Sequence, residues 1–200
     1  MSENIVFNFN DIKTTQAAAF FIKLHGQPPL SYLGLLKMLY ISDRHSLESI
    51  GYPITGDGFV SMKYGPVLTQ VYDYVKPNGG MRSSEYWSNY IATVASPKKP
   101  DKKVFVTLIE DPGDDELSIA EEEIMEKVYR KFGHLNPFDV AKWTHSLPEW
   151  IDPKTQGDNV KVVDIQVVDL LRCLHKSDEE INRIREIADR ERYLGGVLNG

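Results

Sequence analysis

The chain has 200 residues, 23 basic and 29 acidic, for a net charge of −6 and a hydrophobic content of 42%. That suffices for one sizeable core, and no apolar run approaches the roughly 18 residues of a membrane span. The acidic balance weighs against sequence-independent nucleic-acid binding, whose affinity comes from neutralising phosphates. Met1-Ser-Glu-Asn-Ile-Val6 has neither a basic stretch nor an apolar one, so no secretory signal is expected. Cys173 is the single cysteine and lies among Leu170, Leu171 and Leu174, which reads as a plain buried thiol in a reducing cytoplasm.

Asn10 or Asp11 caps a first helix through Leu24, and Gly26 with Pro28 and Pro29 behind it stops it. Ser31 caps a second helix to about Ile50, ended by Gly51. Gly56-Asp57-Gly58 is a turn before a short strand at 59–63. Pro66 suits the first position of a helix through Val67, Val71 and Tyr74, ended by Asn78-Gly-Gly80. Runs 90–94 and 104–109 read as a hairpin that joins 59–63 in one antiparallel sheet. Between them, Lys98, Lys99, Lys102 and Lys103 read as a solvated loop, with phosphate binding the weaker alternative. The acidic stretch 110–116, interrupted by Pro112-Gly113, is a turn.

Ser118-Ile-Ala-Glu121 is a capping box for a helix closed by Gly133, and Asn136-Pro137 opens a shorter one that ends at Leu147-Pro148. A polar loop covers 152–158, Asp164 caps a helix through Leu174, and a second capping box, Ser177 to Glu180, leads the last helix. Gly195-Gly196 and the last residues of the chain should fray. The sum is an α+β, mainly α-helical chain: about seven helices with a small antiparallel sheet of two to three strands. One domain over 1–200 is expected, with a motif core at 18–151 and a C-terminal helical part at 164–194.

The segment Lys37-Met-Leu-Tyr-Ile-Ser-Asp-Arg-His-Ser-Leu47 places Asp43 inside the apolar arc of Leu36, Leu39, Tyr40, Leu47 and Ile50. A carboxylate on a buried face is costly unless paired or hydrogen-bonded. The favoured reading is structural: Asp43 accepts from Lys63, Tyr64 or the amides near Thr55 and Gly56. The other reading is a catalytic acid or base of shifted pKa. Gly65 lets the backbone turn close to another element; Tyr64 packs over a strand-to-helix corner, and a helix start at Pro66 offers free amides to an anion. In Thr144-His-Ser-Leu-Pro-Glu-Trp150, His145 suits a helix C-terminus and Trp150 covers the core edge.

Phosphate loops, dinucleotide fingerprints, nucleophile elbows and the common zinc spacings are all missing. His25 and His134 fall at helix ends, where they satisfy carbonyls or face solvent. His45 points away from Asp43, so a site of Asp43, His45 and His145 requires the fold to assemble it. No metal and no cofactor is expected.

Taken together, 37–47, Pro53-Ile-Thr-Gly-Asp57, Met62-Lys-Tyr-Gly-Pro-Val67 with Tyr72, 126–133 with Leu135, and Thr144–Trp150 resemble the Panacea domain, the SocA-like phage-associated antitoxin family. The resemblance spans about 18–151 in order. It implies a type II toxin–antitoxin role, in which members bind and neutralise unrelated toxins encoded beside them. Many of those toxins block translation, and one branch instead delivers its toxin to a cellular protease. A small metal-dependent hydrolase is the less favoured alternative from another class. The family has no described catalytic residues. Asp43, Arg44, His45, Thr55, Asp57, Tyr64, Gly65, Pro66, Thr144, His145 and Trp150 therefore transfer as motif positions that hold the domain together. The expected partner is a cognate protein toxin, with a protease if the chain is adaptor-like. Homo-oligomerisation stays open, and neither a membrane nor nucleic acid is expected as partner. The motif does not mark the toxin-binding face. The exposed parts of 90–109 and the helix 178–192 are candidates, with plain solvated surface preferred for both.

Overall fold

The computed structural model describes residues 4–76, 80–96 and 99–198. A strap at 4–9 buries Ile5 and Phe7 and leads into α1 (Asp11–His25), whose cap is Asn10: its side chain accepts from the Lys13 amide at 2.9 Å. Gly26, at φ +61°, stops the helix as its type predicts. A two-residue strand β1 (Leu30–Ser31) leads into α2 (Tyr32–Ser49). Ser31 occupies the cap position of α2 but its side chain makes no capping bond.

Helix α2 is the axis of the fold and touches α1, α3, α5, α6, β1, β3 and β5. From Gly34 to Asp43 every residue is buried, so this helix has no solvent face over that stretch. The apolar arc expected from the sequence is thus one side of a helix surrounded on all sides, which explains why Lys37 and Asp43 are equally enclosed.

The strand expected at 59–63 forms as β2 (Phe59–Met62), but it turns at Gly65 into β3 (Gly65–Leu68). Pro66 therefore sits in a strand and not at a helix start. The sheet order β3-β2-β6 makes β3 an edge, where a residue without an N–H is tolerated. Helix α3 (Thr69–Val75) begins only after that strand; Asn78 and Gly79 of the expected stop lie outside the described residues.

Helix α4 (Glu85–Tyr90), capped by Ser84, was not expected. It precedes the hairpin β4 (Ile91–Ser96) and β5 (Lys99–Leu108). Lys99, Lys102 and Lys103 belong to strand β5 and not to a loop, and Lys98 lies outside the described residues. This hairpin pairs with β1 in the order β1-β5-β4, while β2 pairs with β3 and β6. Two three-stranded antiparallel sheets replace the single sheet expected.

The acidic turn at 110–116 is held by the buried Gln16 side chain. Its Nε2 donates to the Pro112 carbonyl at 3.2 Å and to Asp115 at 2.7 Å, and its Oε1 accepts from the Glu116 amide at 2.8 Å. Both bonds of the Ser118–Glu121 capping box form at the head of α5 (Ile119–Phe132), and Asn136 caps α6 (Pro137–Thr144).

The loop at 152–158 contains a 3-10 turn at Pro153–Gln156. Asp164 lies in strand β6 (Val162–Ile165), not at a helix cap; Gln166 takes the cap position of α7 (Val167–Cys173). Cys173 is half-buried, and burial pushes its thiol up. The Ser177–Glu180 box opens α8 (Asp178–Leu198), which continues through Gly195-Gly196 where fraying was expected. With eight α-helices among the described residues, the chain is mainly helical α+β.

Two glycines are dictated by close approach. Gly56, at φ +71°, lies so near the Asn8 carbonyl that a Cβ would collide with it; Gly65, at φ +87°, stands in the same relation to Thr144 Oγ1. Gly65→Ala should therefore cost about 1–3 kcal/mol through overpacking and a disfavoured φ. Gly196→Ala, with open space around it, should leave stability within about 0.5 kcal/mol or raise it. Urea denaturation of the two variants against the wild type measures both.

Candidate functional site

The polar motif residues meet where α2 crosses the loop at 54–58 and the β2–β3 turn. Asp43 is fully buried, and its Oδ1 accepts from the Ile54 amide at 2.9 Å and the Thr55 amide at 3.1 Å. The Thr55 hydroxyl donates to Asp43 Oδ2, and the same hydroxyl oxygen accepts from the Asp57 amide at 3.1 Å. Of the partners expected for Asp43, the loop amides are used. Lys63 and Tyr64 are not: both point outward from the turn.

Asp57 continues the chain of bonds. Leu68, at the cap position of α3, has no side chain able to serve the first turn. Asp57 supplies it from a distance, accepting from the Gln70 amide at 2.9 Å, the Val71 amide at 3.1 Å and the Thr69 hydroxyl at 2.7 Å. The amides expected to sit free at Pro66 thus lie one strand later, and a carboxylate of the chain already occupies them.

On the adjoining side of α2, Lys37 is 0% exposed and donates from Nζ to the Pro66 carbonyl at 2.7 Å. Gly65 rests on Thr144, whose hydroxyl donates to the Ala141 carbonyl at 2.6 Å. Farther along, Glu149 Oε1 accepts from Arg44 Nε at 2.8 Å and from the Tyr40 hydroxyl at 2.9 Å. His145 stacks on Trp150 with ring centroids 4.0 Å apart, and the Trp150 indole N–H donates to the Met62 carbonyl at 3.1 Å.

Sequence reasoning passed over Lys37 and Glu149 as individual residues and counted Tyr40 only in the apolar arc, without its hydroxyl. A signal for Lys37 and for the Tyr40 hydroxyl existed: Lys37, Tyr40 and Arg44 recur at i, i+3 and i+7, a polar seam on one side of α2. His45 does not join the seam; it pairs with Glu48 on the surface. Asp43, His45 and His145 are thus each engaged elsewhere. Among the described residues, no group of three or more His, Cys, Asp or Glu is placed to hold a metal ion.

Burial dominates the electrostatics. Asp43 is pushed up to about 7 by desolvation, against the pull of its Thr55 and Ile54 hydrogen bonds and with a further push from the Asp57 charge. Desolvation also raises Asp57 and brings Lys37 down to about 7. His145 is lowered by burial and by the Lys37 charge. These groups face one another and the backbone, so the arrangement is suited to holding α2, the loop at 54–58 and the β2–β3 turn together.

Fold and site define a mainly helical α+β domain knit by a buried polar clasp. Residues 35–151 match the family described as antitoxin SocA-like, Panacea domain, and the chain, matched over more than half its length, belongs to it. The family gives the chain an antitoxin role, with a toxin as its general class of partner, and points away from catalysis. Comparison with curated proteins and with solved structures found no match. Among the described residues, no helix is long and apolar enough to cross a membrane.

The clasp can be tested through pH and through its ion pair. A carboxyl whose pKa is raised on folding stabilises fully below its unfolded value, and that contribution is lost as the pH climbs through the folded value. Tm measured from about pH 5 to about pH 8 should therefore fall less steeply for Asp43→Asn than for the wild type. Glu149→Ala leaves the Arg44 guanidinium and the Tyr40 hydroxyl without their acceptor and should cost about 3 kcal/mol or more in denaturant unfolding.

Proposed function

We propose that the chain neutralises a cognate protein toxin by forming a direct complex with it in the cytoplasm. On this reading all 200 residues act as one folded domain, and the toxin is an inhibitor of translation. The observation that carries the proposal is the family match over 35–151, which begins two residues before Lys37 and ends one residue past Trp150. The matched span therefore brackets the clasp. The clasp residues named as motif positions serve the domain's rigidity, because Asp43, Thr55 and Asp57 spend their polar atoms on bonds within the protein, although Asp57 also borders a surface cavity. A folded, pre-organised surface suits sequestration, since little ordering entropy is lost on binding.

The protein encoded by the adjacent reading frame is the test. Expressed alone it should arrest growth, and co-expression with this chain should restore growth and yield a complex on a sizing column. Absence of both rescue and complex defeats the proposal. Rescue accompanied by faster loss of the toxin, with no stable complex, would point instead to delivery to a protease.

A further inference from the structure

A groove of about 460 Å³ opens between the end of α1, α2, α5 and α6. Its walls are apolar, with Leu30, Met38, Phe132 and Val140 among them, and among the described residues no Asp, Glu, Lys or Arg lines it. At its rim the Tyr129 hydroxyl and His25 Nδ1 are 3.2 Å apart, and the His134 ring lies edge-on to Tyr129 at 5.2 Å. The apolar surface does not stop at the groove. Leu135 lines it and is 51% exposed, and the next residues along α6 bring out Phe138, 62% exposed. Phe138 meets the 51% exposed Tyr64 edge-to-face at 6.1 Å. A small molecule filling the groove would leave Phe138 and Tyr64 uncovered, whereas a protein segment covers both.

The charges around this surface are lopsided for an acidic protein. Lys142, one turn along from Phe138, and Lys63, over the Tyr64 ring, have no ion-pair partner among the described residues. Asp139 is the one carboxylate on α6. The chain as a whole carries a charge of −6, so this face stands out as the place where a carboxylate of a partner is welcome.

We propose that the toxin docks here: an apolar segment flanked by carboxylates enters the groove beside His25, Tyr129 and His134 and lies across Leu135, Phe138 and Tyr64. This rests on the antitoxin reading and names the surface that reading lacks. The anchors are aromatic, as binding hot spots commonly are, and they lie beside the clasp without belonging to its hydrogen bonds. Lys63 and Lys142 then orient an acidic flank of the partner rather than hold it.

The variants Leu135→Asp, Phe138→Asp and Lys142→Glu change exposed side chains. Phe138→Asp places an acid in the first turn of α6, where it is compatible with the helix. Circular dichroism and Tm should match the wild type. Against the protein encoded by the adjacent frame, Leu135→Asp and Phe138→Asp should weaken Kd by about tenfold or more and abolish growth rescue. Lys142→Glu should slow association, with an effect that fades at high salt. Tyr193→Asp, on the exposed end of α8, should bind as the wild type does.

Wild-type rescue that all three variants preserve overturns the surface and leaves the antitoxin reading standing. Loss confined to Tyr193→Asp overturns it in favour of α8. A wild-type chain that alone runs at twice its mass, and that Phe138→Asp returns to the monomer, shows a second copy on this face and also overturns it. A wild type that neither rescues nor forms a complex removes the antitoxin reading itself, and the surface with it.

Discussion

The structure depends on one enclosed carboxylate. Helix α2 is surrounded by other elements from Gly34 to Asp43, so no water reaches Asp43, and its acceptors must be satisfied by protein. Only the loop at 54–58, folded back over the helix, brings two amides and a hydroxyl to it. That path of the loop then positions Asp57 over the first turn of α3 and presents the Thr55 carbonyl to the Asn10 amide at 3.0 Å. The cap of α1, the start of α3 and the strap at 4–9 are thereby referred to one point. Each of these contacts is a modest net contribution in isolation. Breaking the first leaves the others aimed at groups that are no longer in place.

The elements whose signals are local were readable before the fold was known. Gly26, the Ser118–Glu121 and Ser177–Glu180 boxes and Asn136-Pro137 act within a few residues of themselves. Helix α1 ends, and α5, α6 and α8 begin, where these signals stand. Position 66 went the other way because proline at a helix start and proline in an edge strand look alike locally. The choice was made by Ser61 across the turn, which pairs with it in β2–β3. Asp164 is a good cap residue drawn into β6 by its pairing with Val60, a partner more than a hundred residues away. In the same way β2 could not be assigned to its sheet from periodicity, since its partner β6 lies about a hundred residues further along the chain. At the clasp, the arc on α2 singled out Asp43, and the loop amides were among its expected partners. Glu149 was invisible because Arg44 and Tyr40 reach it only after α2 and the end of α6 come together.

What identifies the domain and what it does for a partner are separable in this molecule. The clasp residues are recognisable because burial restricts them: a smaller, larger or uncharged replacement leaves a cavity, a collision or an orphaned polar group. The surface outside them is under none of those restrictions. A scaffold of this kind can keep its inner polar wiring while its outer faces change.

The strap has a consequence for how the chain is made. The Asn4 side chain accepts from the Val167 amide at 3.0 Å, across a separation of 163 residues, and Phe7 rests edge-on against Tyr52 at 4.8 Å. During synthesis the strap is made well before α7, so this contact can close only once α7 has emerged. Ile5 and Phe7 thus stay incompletely covered until the later elements of the fold are made. A protease surveying nascent chains can reach that segment throughout the interval, so a stretch that seals the finished domain is open to attack while the domain is being built.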